Sequence, residues 1–137
     1  MKDDYFYARN GISRLVYNSI FKRIFFVIDP ETIHNRMVRT GQFLGTNMFT
    51  RKIISFLFSY SDKKLKQNIL GIAFPNPIGL AAGFDKDAQL TEILPSLGFG
   101  FEEVGSITGE PCSGNPKPRV WRLIKSKSLV VYYGLKN

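Results

Sequence analysis

Residues 76–87 read NPIGLAAGFDKD, an apolar run that ends abruptly in Asp85, Lys86 and Asp87. Buried parallel strands have this form: continuously apolar, then polar at the carboxyl end, where α/β proteins place their ligands. The pattern predicts a strand over 77–84. Ala81, Ala82 and Gly83 at its end leave room for a flat ligand to lie against the backbone, and Lys86 just beyond can reach an anionic part of it. The same letters also suit an ordinary core strand followed by a solvated lysine. They do not make a phosphate loop, which needs four residues between its glycines and a lysine directly after the second.

Downstream, Leu90, Ile93, Leu94 and Leu97 stand at i, i+3, i+4 and i+7. That spacing predicts a helix over 87–97 packed on a sheet, distorted or shortened by Pro95 and ended by Gly98. FEEVGSIT (101–108) reads as a second strand with Gly105 and Ser106 towards its carboxyl end. Strand, helix, strand within about 30 residues is a βαβ unit and implies a parallel sheet. Before it, Leu65 to Ala73 reads as a strand or hairpin, and Pro75 and Pro77 hold Phe74 and Asn76 extended. After it, GNPKPRVWRL (114–123) alternates like a half-buried strand, Lys125 to Ser128 is a polar turn, and SLVVYYGL (128–135) follows.

Upstream, three helices are readable. Residues 5–27 place Ile12, Leu15, Val16, Ile20, Ile24 and Val27 on one stripe, with Arg14, Lys22 and Arg23 off it. Asp29 is then a plausible N-cap with Pro30 at the first helical position, opening a helix to about Leu44 that Gly45 stops. A third runs from about Thr50 to Tyr60. The first 68 of the 137 residues hold 12 Lys/Arg against 5 Asp/Glu, a net +7, and the remaining 69 hold 7 against 6, a net +1. Basic, aromatic-rich helices suit the interface of an anionic membrane, where each Lys or Arg contributes roughly 1 kcal/mol. They also suit apolar faces packed on a larger domain behind a solvated basic face.

Several classes are disfavoured. One cysteine, Cys112, allows no internal disulfide and fits a reducing compartment. No secretory signal is visible, and the apolar runs IFFVI (24–28) and IISFLF (53–58) are far too short to span a bilayer. One His and one Cys give no zinc site, and no nucleophile–base–acid set can be assembled around His34. The positive charges are interleaved with Phe, Ile and Leu, and no nucleic-acid motif accompanies them.

Four motifs in order, IDPETIH (28–34), NPIGLAAGFDKD (76–87), GFGFEEVGSIT (98–108) and GNPKPRVWRL (114–123), resemble the dihydroorotate dehydrogenases, in particular the membrane-associated, quinone-reducing class. The resemblance implies an α/β protein: an N-terminal helical segment (1–64) at the quinone and membrane interface, then the first part of an FMN-binding (β/α)8 barrel (65–137). It implies transfer of a hydride from dihydroorotate to FMN, loss of a proton to a base, and passage of electrons to a membrane quinone in pyrimidine biosynthesis. Ala81, Ala82 and Gly83 match the backbone beneath the flavin. Lys86 matches the lysine that contacts FMN and substrate, and Ser106 a hydroxyl residue at the flavin. His34 and Arg122 match positions beside the quinone tunnel. The family places these enzymes at the cytoplasmic face of the membrane, peripherally bound.

The family's substrate loop commonly reads Asn-Arg-Tyr-Gly-Phe-Asn-Asn. Its equivalent here is VYYGLKN (131–137), which keeps Tyr133 and Gly134, with Leu135 beside them, as substrate contacts. Val131 lacks the hydrogen-bonding groups of that Asn, and Tyr132 removes a charge. The complete barrel takes about 250 residues, so 69 residues after residue 68 suffice for about two of eight βα units. The expectation is a truncated enzyme (a fragment, split gene or relict) whose catalytic serine and FMN phosphate site lie further on, with room for a second polypeptide to complete the barrel. On that expectation the chain alone neither retains FMN nor turns over. The alternative class is a non-catalytic, basic, helical membrane-binding module.

Overall fold

The sequence breaks at Asp29-Pro30, and there the chain turns into its longest helix. The computed structural model describes residues 2–137, with side chains from Asp4 onward. Helix α3 (Pro30–Gly45) is capped by the Asp29 carboxylate, which accepts from the Thr32 N–H at 2.7 Å, with proline in the first turn. Such a cap contributes about 1 kcal/mol. The preceding stripe forms α1 (Lys2–Val16), a π-helical stretch (Tyr17–Phe21) and α2 (Lys22–Val27), rather than one uninterrupted α-helix. Its apolar side chains stay exposed, Val27 most of all at 88%. Helix α4 (Met48–Phe58) starts earlier than its periodicity suggests, because the Asn47 side chain caps it by accepting from Phe49 N–H. The Arg9 guanidinium donates to the Phe56 and Ser59 carbonyls, tying α1 to the carboxyl end of α4, where a cation is favoured. Among the described residues no helix is long and apolar enough to cross a membrane.

The second half opens with the hairpin β1 (Gln67–Ile69) and β2 (Ile72–Phe74), antiparallel, with Asn68 facing Ala73. Strands β3 (Gly79–Leu80) and β4 (Phe101–Glu102) then pair in parallel, Gly79 opposite Phe101. Backbone bonds from Gly100 to Ile78 and from Glu103 to Leu80 extend the pair at both ends. The βαβ order is therefore present, but each element is shorter than its sequence pattern. The run at 77–84 is strand only at Gly79–Leu80, and 101–108 only at Phe101–Glu102. Among the described residues these two strands pair only with each other, and without further neighbours the ladder has nothing to propagate along. The predicted helix over 87–97 contracts to α5 (Leu94–Leu97). Pro95 falls in its first turn, where the missing N–H is harmless, so proline starts this helix instead of distorting its end. Gly98 closes it at φ +95°. Strands β5 (Val120–Leu123) and β6 (Ser128–Val131) form a second antiparallel hairpin.

The core is small. Val38 of α3 meets Leu90, Ile93 and Leu94, with Leu44, Ile54, Leu80, Leu97 and Phe99 packed around them. Gly41 and Gly45, one turn apart on α3, let the helix approach Leu90 and Ile93; a Cβ at Gly45 would stand 3.4 Å from the Ile93 nitrogen. Helix α5 packs mainly against α4, so the 87–97 segment meets helices as well as the sheet. The chain exposes 10363 Å², against the roughly 7,200 Å² that size scaling gives for a compact protein of this mass. Exposed apolar side chains include Ile78 just before β3, Phe101 on β4, and Leu129 and Val131 on β6.

Candidate functional site

The parallel pair decides where ligand chemistry can sit. Ala81, Ala82 and Gly83 follow β3, and Gly105 and Ser106 follow β4, so both segments emerge from the carboxyl ends of adjacent parallel strands. Ala81, Ala82 and Ser106 are exposed. Gly83 adopts φ +97° with open space where a Cβ would stand. The result is a shelf of small residues and bare backbone, a surface that fits a flat ring system. Ser106 is tied to the end of the chain, its carbonyl accepting from the Asn137 side-chain amide at 2.7 Å.

Beside this shelf lies a cavity of about 310 Å³ between α3, the loop after β3 and the C-terminal segment. His34, Arg39, Phe84, Lys86, Tyr133 and Lys136 are among its walls. His34 stands edge-on to Phe84, 4.8 Å between ring centroids, and 6.2 Å from Tyr133. Burial lowers the His34 pKa, and Lys136 and then Lys86 push the same way against Glu31 and Asp85. Tyr133 is 9% exposed. Three cations surround its ring: Arg119 at 5.0 Å, Lys136 at 5.7 Å and Lys86 at 5.8 Å. Its buried hydroxyl has no hydrogen-bond partner among the described residues, and burial raises its pKa. The structure thus brings His34, Lys86 and Tyr133 together. It leaves Ala81, Ala82, Gly83 and Ser106 on the neighbouring shelf, outside the cavity wall. The sequence sets a flavin and substrate group (Ala81, Ala82, Gly83, Lys86, Ser106, Tyr133) apart from a quinone pair (His34, Arg122); the geometry instead puts His34 in one cavity with Lys86 and Tyr133 and leaves the small residues on the shelf.

Gly134 and Leu135 follow Tyr133 on the rim, both exposed. Gly134 takes φ +65° and abuts the Asn115 side chain, whose amide donates to Tyr132 O. Arg122 is not in the cavity wall. Its guanidinium donates to the Ile28 carbonyl at 2.7 Å and lies over the Phe26 ring at 5.1 Å, joining β5 to the end of α2.

The alternation read across 119–124 holds within β5, where Val120 is buried and Trp121 and Leu123 are exposed, but fails just before it, where Arg119 is buried beside Val120. The reason is an ion pair that periodicity does not announce. Arg119 donates to both Glu31 carboxylate oxygens, the shortest contact 2.7 Å, and also to the Ser113 and Asn115 carbonyls. Glu31 is 4% exposed and Arg119 5%. Lys117 adds a longer contact to Glu31 at 3.4 Å. The hydrogen bonds from Arg119 hold the Glu31 carboxyl below its usual pKa, against the cost of burial.

Two carboxyls, Asp85 after β3 and Glu102 on β4, also interact. Asp85 is 1% exposed and accepts from the Gln89 and Leu90 N–H groups, which organises the turn into α5. Glu102 on β4 has one buried oxygen without a partner. Its pKa rises to about 7, chiefly through burial and then through the Asp85 carboxylate. A raised carboxyl pKa destabilises the fold as pH climbs from the unfolded value towards 7, since only the unfolded chain ionises freely there. Glu102→Gln should therefore melt above the wild type at pH 8 and lose that advantage at pH 4.5, measured by thermal unfolding. An equal difference at both pH values would refute the assignment.

The sequence patterns quoted for IDPETIH and GNPKPRVWRL carry Glu31 and Arg119 without giving either a role. Arg39 was also missed, lying on an exposed helix face. Lys136 was visible only as an unmatched letter in VYYGLKN.

The family described as dihydroorotate dehydrogenase matches residues 64–137. A "Dihydroorotate dehydrogenase (quinone)" of Helicobacter acinonychis is 41% identical over 119 residues, covering 87% of this chain and 34% of the relative. A protein of the same description from Synechococcus is 43% identical over 111 residues, covering 80% of this chain and 30% of the relative. The crystal structure of the Eimeria tenella DHODH in complex with ferulenol superposes with a TM-score of 0.65 at 37% identity, covering 80% of this chain and 27% of that one. The chain spans about a third of the length of the curated relatives it matches.

Proposed function

The chain belongs to the dihydroorotate dehydrogenase family, and on that premise we propose that it supplies the quinone-facing helices and the first strands of an enzyme that oxidises dihydroorotate to orotate with FMN and passes the electrons to a membrane quinone, a step of pyrimidine biosynthesis. In this reading residues 1–64 form the helical quinone and membrane segment, and 65–137 begin the barrel.

The observation that carries the reading is the pairing of an exposed, nearly side-chain-free shelf at two parallel strand ends with Lys86 on the adjoining cavity. The shelf fits FMN: Ala81, Ala82 and Gly83 offer backbone, no Cβ obstructs Gly83, and Ser106 offers a hydroxyl. FMN would accept the hydride and relay the electrons. The chain's own part is placement and charge. The Lys86 ammonium stabilises negative charge on substrate and reduced cofactor, while Tyr133, Gly134 and Leu135 enclose the substrate beside it. His34 stays neutral near pH 7, since burial depresses its pKa, and so faces a quinone as an uncharged imidazole. Arg122, anchored on Ile28 O, fixes the end of α2 along the quinone path.

The exposed stripe of Ile12, Leu15, Ile20, Ile24 and Val27 with its flanking Arg14, Lys22 and Arg23 supports peripheral attachment to an anionic membrane; the family resemblance alone puts that attachment at the cytoplasmic face. The unpaired edges of β3 and β4 and the large exposed apolar area support completion of the barrel by further βα units, carried in cis or on a second polypeptide. The test is to produce this chain together with a polypeptide equivalent to the remaining part of the Helicobacter acinonychis relative. The proposal predicts a complex that retains FMN and reduces a ubiquinone analogue when given dihydroorotate, with no flavin held by this chain alone. A stable complex that excludes FMN would overturn it.

A further inference from the structure

Three cations, Arg39, Lys86 and Lys136, share the cavity wall, and of these only Lys86 is expected from the family pattern. Compared with Asn-Arg-Tyr-Gly-Phe-Asn-Asn, the segment VYYGLKN loses a positive charge at Tyr132 and gains one at Lys136. The structure puts these two positions in different surroundings. Tyr132 is 61% exposed, whereas Lys136 is half-buried, lines the cavity with Lys86 and stands 5.7 Å from the Tyr133 ring. Its backbone is held in place: Lys136 bridges to Ser113, and Asn137 exchanges hydrogen bonds with Cys112 at 2.8 and 3.1 Å. Gly114 permits this approach, its φ of +73° and its closeness to the Tyr133 carbonyl leaving no space for a side chain.

Neither Lys86 nor Lys136 forms an ion pair with a described residue. Arg39 adds a third cation to the wall, and Asp85 and Asp87 are its acids. The Asp85 carboxylate is already engaged by two backbone N–H groups. A cavity with two uncommitted ammonium groups suits a ligand that carries oxygen acceptors and negative charge.

We propose that Lys136 is a specificity-determining cation which, with Lys86, selects a small oxyanion in this cavity over an uncharged ligand of the same shape. This rests on the reading of the cavity as the substrate site, with the ligand's carboxylate as the oxyanion there; a free phosphate offers the same chemistry.

His34 is the single histidine of the chain and lines this cavity, so its ring resonances report the site in the intact 137-residue protein. Without ligand, Lys136→Gln should raise the His34 titration midpoint, since Lys136 and Lys86 depress it while Glu31 and Asp85 raise it. Lys136→Arg should leave it near the wild-type value. An unmoved midpoint in a folded Lys136→Gln protein overturns the proposal. Orotate should then shift the His34 resonances while uracil, the same ring without the carboxylate, does not, and Lys136→Gln should weaken orotate about tenfold. Orotate binding that survives Lys136→Gln but is lost in Lys86→Gln defeats the role of Lys136 and spares the dihydroorotate reading. Inorganic phosphate binding without orotate binding supports the oxyanion site and defeats that reading. Equal responses to orotate and uracil refute the selection for charge.

Discussion

Replacing Glu31 by alanine should lower the unfolding free energy by about 3 kcal/mol, because it leaves the Arg119 guanidinium buried without its carboxylate. The partners lie 88 residues apart, so this one contact joins the helical segment to the strand that follows the βαβ unit. Arg119 keeps its bonds to the Ser113 and Asn115 carbonyls, which is why the lower end of the range for broken buried pairs applies. The loss is large against the 5–15 kcal/mol that holds an ordinary domain, and here the core is small. The pH dependence has a definite sign. The Glu31 carboxyl is held below its usual value, so its contribution is complete above the unfolded carboxylate range. It is lost only as pH falls through the lower folded value. Denaturant unfolding of wild type and Glu31→Gln should accordingly differ most near pH 7 and converge in strong acid. A gap that persists unchanged into acid would show that packing, not charge, carries the effect.

Lys86→Ala, made in the complex that retains FMN, should slow dihydroorotate-driven flavin reduction by about 10² to 10³, the loss typical of removing one group aimed at developing charge. Lys86 is half-buried and forms no ion pair with a described residue, so its removal breaks no structural contact of that kind. Thermal unfolding of the variant should stay close to wild type. A variant that unfolds much earlier and loses activity in proportion would instead make Lys86 a structural residue.

The local signals were legible because they are local. Asp29 caps α3 and proline occupies its first turn as the order of those residues implies. Residues 65–73 begin a hairpin whose second strand runs on to Phe74, and the strand–helix–strand order around Lys86 is present. What the letters could not give is length and partnership. Strands 77–84 and 101–108 read long because their apolar runs are long, yet a ladder extends only where a neighbour continues it. Pro95 predicts a helix over 87–97 distorted or shortened in its last turn; the helix is short, and proline stands in its first turn. Glu31 and Arg119 look like surface charges at their own positions, and only the fold makes them a buried pair. The same holds for the site. Lys86, His34 and Tyr133 were each recognisable by pattern, whereas their common cavity, its separation from the Ala81–Gly83 shelf, and the entry of Lys136 all depend on how the C-terminal segment pairs with Ser113.

The most direct measurement is the flavin absorbance of the assembled complex on adding dihydroorotate without oxygen or quinone. The flavin should bleach in the wild-type complex, quinone should restore the colour, and Lys86→Ala should slow the bleaching at least about a hundredfold. A flavin-loaded complex that stays oxidised in excess dihydroorotate, or one that bleaches equally fast without the Lys86 ammonium, would contradict the proposed function.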